Sequence, residues 1–172
     1  MFGHKTRIVV IAACVLLAIR AAVDGAQVPA GLFAMAAAFY LAGLWRNGPV
    51  WLAVRKARRG DLPSAEALLN QIKSPERLGA TQRPYYYYLR GVLEQRAGNV
   101  QAAELHFRNA DSGRLRTSDD RALVKAHLAE LALQRGEREL AATLLESAKS
   151  CDPKGAVAEV VLDLEHRLTE SG

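Results

Sequence analysis

Residues 133–148 read LQRGERELAATLLESA, and two earlier stretches carry the same pattern: ARRGDLPSAEALLNQI at 57–72 and QRAGNVQAAELHFRNA at 95–110. Their glycines, Gly60, Gly98 and Gly136, lie 38 residues apart each time. Five residues after the glycine stands Ala65, Ala103 or Ala141, and nine after it Leu69, Phe107 or Leu145. Twelve after it stands Ile72, Ala110 or Ala148, and seven before it Ala53, Gly91 or Ala129. Apolar residues at i, i+4 and i+7 mark one face of a helix. A small residue in the preceding helix lets two helices approach closely, and the glycine ends that helix in a tight turn. The unit is helix, turn, helix. One such pair does not bury its own apolar face, so neighbouring pairs must stack.

At these positions the chain resembles the tetratricopeptide repeat family. The third unit, about 123–153, has Leu128, Ala129, Gly136, Ala141, Leu145, Ala148 and a closing Asp152-Pro153 at the family's spacing. The second, about 85–110, keeps Tyr87, Gly91, Gly98, Ala103, Phe107 and Ala110. It departs at Arg90, where the family prefers an apolar residue, and lacks the closing proline. The first, about 49–72, keeps Leu52, Ala53, Gly60, Ala65 and Leu69. The period exceeds the family's usual ~34 residues. The links KSPERLGATQRP (73–84) and DSGRLRTSDD (111–120) are therefore expected to be longer or to extend helices. Thr117 or Ser118, followed by Asp119 and Asp120, is a helix-start signal. A last amphipathic helix, about 155–168, is expected to cap the stack, with Glu159, Asp163, Glu165 and Arg167 on its outer face. The resemblance implies an all-α solenoid of about three helix pairs with a concave, partner-binding groove.

RPYYYYLRG, residues 83–91, opens the second unit. At about 100° per residue its four tyrosines point in four directions. Tyr87 takes the position the family gives to a large packing residue and is expected to be buried. Tyr86 is expected to pack towards the preceding unit or the link. Tyr85 and Tyr88 share a face. By the resemblance they line the groove with Val92 and Gln95, and Leu123, Ala126, His127 and Glu130 continue it in the third unit. Packing between repeats is the rival reading of both tyrosines. The Lys/Asn/Arg set with which some family members hold C-terminal carboxylates is not found, and a partly apolar groove suits an apolar or amphipathic segment.

The first 45 residues are different in kind. IVVIAACVLLAIRAAV (8–23) and VPAGLFAMAAAFYLAGLW (28–45) are apolar runs joined by a short polar turn. They are expected to form a transmembrane helical hairpin, with Tyr40, Trp45 and Trp51 in an interfacial belt. The domain division falls at Trp45/Arg46. Lys5 and Arg7 before the hairpin, and Arg46, Arg55, Lys56, Arg58 and Arg59 after it, place both termini and the solenoid inside, at the bacterial inner membrane. That cluster is also expected to meet anionic headgroups of the bilayer. A buried helical hairpin is the rival.

The net charge of +5 hides a near-balance after Arg46, with 20 basic and 17 acidic residues, so nucleic acid is not expected as a partner. Cys14 and Cys151 make no disulfide framework or metal motif. No phosphate loop, metalloprotease motif or nucleophile elbow occurs. The reading is of a binding protein without cofactor or metal, not an enzyme. It is an adaptor that holds a protein or peptide partner in its groove; the alternative is an assembly subunit held through the hairpin.

Overall fold

A computed structural model describes the backbone of residues 4–25 and 27–170, with side chains in that range except at 4–9, 11, 27 and 39–47. The described residues form helices α1 (His4–Val23), α2 (Gln27–Ala57), α3 (Leu62–Asn70), α4 (Arg83–Arg96), α5 (Val100–Asp111), α6 (Ser118–Gln134), α7 (Arg138–Lys149) and α8 (Ala156–Glu170). A 3-10 turn covers Pro75–Arg77 in the first link. Two compact units divide between Gly48 and Pro49, three residues beyond the division read from composition.

The transmembrane hairpin is not supported. Among the described residues no helix is long and apolar enough to cross a membrane. A spanning helix needs about 20 apolar residues, and the two runs have 16 and 18. Arg20, exposed and 3.5 Å from Asp24, closes the first. The second does not stop at Trp45: α2 continues to Ala57, and Val50, Ala53 and Val54 in its last turns are buried in the repeat core. With the spans go the inner-membrane placement and the orientation. Lys56 pairs with Asp61 at 2.8 Å and Arg58 with Asp120 at 3.1 Å, while Arg55 and Arg59 are exposed. The side chains of Lys5, Arg7, Tyr40, Trp45 and Arg46 lie outside the described residues.

The second unit is an α-solenoid-like stack in which each helix pair closes in the same way. Gly60, Gly98 and Gly136 sit at φ +81°, +79° and +77°, the left-handed region that favours glycine. Each glycine N–H donates three residues back, to Ala57, Gln95 or Leu133. The next residue's N–H donates five back, from Asp61 to Lys56, Asn99 to Glu94 and Glu137 to Ala132. This pair of bonds is the Schellman motif, which satisfies carbonyls left over at a helix end. The carbonyls of Asp61, Asn99 and Glu137 then accept from Ala65, Ala103 and Ala141, starting the next helix. Turn and register thus come from one local geometry, repeated.

The repeat positions are the core. Ala65, Leu69, Ala103, Phe107, Ala110, Ala141, Leu145 and Ala148 are buried, as are Ala53, Gly91 and Ala129 on the facing helices, and Ile72 is partly buried. One cluster runs from Val50 through Leu69, Tyr85 and Phe107 to Leu131; a second joins Ala122, Ala126 and Ala129 of α6 to Leu145, Val161 and Leu164. The long period is absorbed in the first link and in α6, which begins before Leu123. Thr117 caps α6 by accepting from the Asp120 N–H at 3.0 Å, and Asp119 and Asp120 complement the dipole of its first turn.

The tyrosines distribute differently from the family-based expectation. Tyr85 and Tyr86 are buried, while Tyr87 is half-buried at the core's edge beside His106. The Arg90 guanidinium lies 5.6 Å over the Tyr86 ring, and Arg90 also donates to Asn70 of α3 at 2.8 Å. Tyr85 is 3% exposed and is not a groove contact. Its ring meets Trp51 at 4.9 Å, and its hydroxyl donates to Asp120 and accepts from the Arg116 N–H at 3.0 Å. Asp120 also takes Arg58, and the Arg116 guanidinium lies 5.3 Å over the Trp51 ring. One phenol therefore ties all three repeats together. Tyr85→Phe strips two partners from this hub and is expected to cost about 1–3 kcal/mol. Urea unfolding with Asp120→Ala as the second arm of a double-mutant cycle checks it: strong non-additivity is expected, and simple additivity contradicts the hub.

Candidate functional site

A cleft of about 410 Å³ opens between α6 and α8. From α6 come Leu123, Ala126, His127 and Glu130; from α8 come Ala156, Glu159, Val160, Asp163, Leu164 and Arg167. The floor is apolar, formed by buried Ala126 and Leu164 and the more exposed Leu123 and Val160. Val160 is 43% exposed, although Val161 and Leu164 on the same helix are buried against α6 and α7.

The polar wall is preorganised on one side only. Gln95 of α4 donates to Glu130 at 2.8 Å, His127 Nδ1 stands 3.8 Å from the same carboxylate, and Arg167 lies 3.8 Å away from across the cleft. The His127 contact, then Gln95 and Arg167, hold the Glu130 carboxyl below the usual range against the opposing effect of burial. His127 is fixed in turn, its ring parallel to that of Phe107 at 4.8 Å and 5.9 Å from Tyr88. Glu159 and Asp163, one turn apart on α8, are exposed and have no side-chain partner among the described residues.

Of the eight groove residues read from the sequence, Leu123, Ala126, His127 and Glu130 meet in this cleft. Gln95 reaches it through Glu130. Tyr88 supports it from behind, half-buried between Phe107 and His127. Val92 packs against the core, and Tyr85 is closed off under Trp51. The residues of α8 were missed because that helix reads as a cap: Glu159, Asp163 and Arg167 line the cleft instead of an outer face. Their signal was the spacing 156, 160, 163/164, 167, which is one helix face continuing the groove.

Among the described residues no group of three His, Cys, Asp or Glu side chains stands close enough to hold a metal. Comparison with protein-family models, curated proteins and solved structures returned no match, so the functional reading rests on these residues alone.

Proposed function

We propose that the chain is a helical-repeat adaptor of tetratricopeptide type, a binding module rather than an enzyme, whose α6–α8 cleft holds a segment of a partner protein. The observation that carries it is Val160, left 43% exposed over a concave apolar floor on a helix otherwise packed into the stack. Apolar pockets with a few fixed polar groups suit ligand binding, and Glu130 is such a group. Val160→Asp puts a charge on the floor without touching the core. It is expected to weaken binding of a labelled amphipathic leucine/alanine peptide about tenfold or more, with stability shifted by no more than about 0.5 kcal/mol. Fluorescence anisotropy and urea unfolding read the two effects. Binding unaffected by Val160→Asp counts against the cleft.

The exposed apolar side chains of the first unit, Leu16 and Met35 among them, favour a second reading: a subunit that assembles with another protein through that unit. The readings separate by whether Val160→Asp or Leu16→Asp removes the partner.

A further inference from the structure

Resting on the cleft as the binding site, we infer that its occupant is a partner segment with lysine or arginine flanking an apolar face. The cleft carries three carboxylates, Glu130, Glu159 and Asp163, against one permanent cation, Arg167. That cation faces Glu130, and so does His127. The carboxylates of Glu159 and Asp163 stand beside Val160 and Leu164, so a ligand that buries apolar side chains on the floor brings its flanks against two acids.

The wider field agrees. From Ser118 onward the chain has 11 acidic and 7 basic residues, whereas residues 1–117 have 7 acidic and 16 basic. A chain of net charge +5 thus presents its cleft within its one acidic region. The net charge of +5 would repel a cationic peptide from the chain as a whole, so preference for one must be local. The same acidic rim disfavours phosphate-bearing ligands, nucleic acid included. Opposite charge around an apolar core chiefly sets specificity and association rate.

The test uses the full chain and labelled amphipathic peptides that share one leucine/alanine face and differ only in flanking lysines or glutamates. The lysine peptide is expected to bind about tenfold or more tightly than the glutamate peptide at low salt, with the gap narrowing as salt rises. Glu159→Gln/Asp163→Asn should remove most of that preference, and Glu159→Lys/Asp163→Lys should reverse it, both at unchanged helicity. Equal binding of the two peptides, lost in Val160→Asp, overturns the charge assignment and leaves the cleft as a site. Absence of binding, or binding indifferent to Val160→Asp, overturns both. Self-association that Val160→Asp abolishes, with no peptide competing, makes a second copy of the chain the occupant and overturns the inference.

Discussion

Phe107→Ala is expected to cost about 3–5 kcal/mol, a large share of the roughly 5–15 kcal/mol that holds a domain folded. Phe107 is fully buried, fills the space between α4 and α5, and stacks on His127 of α6. Its partner in this fit is Gly91. A Cβ built on Gly91 would lie 2.6 Å from Cε1 and 2.7 Å from Cδ1 of the Phe107 ring. The ring has no room to yield, being flanked by His127 and Tyr88. Gly91→Ala alone should therefore destabilise by about 1–3 kcal/mol through overpacking, despite alanine's helix propensity. In the Phe107→Ala background the clash is gone and the void accepts a methyl group. There Gly91→Ala should become neutral or stabilising, by up to about 1 kcal/mol from propensity. Urea unfolding of the two single variants and the double variant reads this reversal of sign. A Gly91→Ala cost that persists without the ring would show that glycine serves backbone conformation there, not helix approach.

The same pair shows what was legible in the sequence. Gly91 and Phe107 sit 16 residues apart at repeat positions, and their closeness follows from the local turn at Gly98. Everything governed by that turn, the helix pairs and their buried alanines, was readable from spacing alone. The tyrosines were not, because partners from other repeats decide them. Tyr85 is closed off by Trp51 before it and Asp120 after it, at separations that no helical period encodes. The family register pointed to Tyr87 and missed that Tyr85, Tyr86 and Leu89 form the packed face of α4. The α8 wall was hidden for a similar reason. Its carboxylates look like solvated cap residues until α6 is set opposite them.

Composition misled most at the N-terminus. An apolar run reads as a membrane span when its end is taken from the first basic residue, here Arg46. Helix geometry ignores that residue: α2 continues for eleven more residues to Ala57. An apolar helix that delivers Val50, Ala53 and Val54 to a repeat core has part of its hydrophobicity explained by packing. The basic residues behind it are likewise partly explained by Asp61 and Asp120.

Raising the pH from 10 to 12 is expected to destabilise the repeat unit sharply. Tyr85 is pushed up to about 12, by burial first and then by its hydrogen bond to the Asp120 carboxylate. Tyr88 is also pushed up to about 12, by burial and then by the nearby Asp120 charge. Both are neutral when protonated, and the folded state favours that form. Their contribution is therefore complete below the ordinary tyrosine value of 10 and is lost as pH rises through 12. Each amounts to at most about 2–3 kcal/mol, and to less where solvent screens the phenolate, so together they remove a substantial share of a domain's stability. Lys149, raised by Glu165 and then Glu146, loses its ion pairs in the same alkaline direction, but on the surface, where screening keeps the effect small. The two tyrosines separate at neutral pH. Tyr85→Phe is destabilising because it strips the hub, whereas Tyr88→Phe should be nearly neutral, since its hydroxyl has no hydrogen-bond partner among the described residues. Each variant should flatten the alkaline limb, and the double variant should flatten it most. Circular dichroism against pH, with tyrosinate absorbance followed in parallel, makes the measurement. Loss of helicity should coincide with the last tyrosines to ionise; full ionisation below pH 11 with helices intact would contradict the burial of both rings.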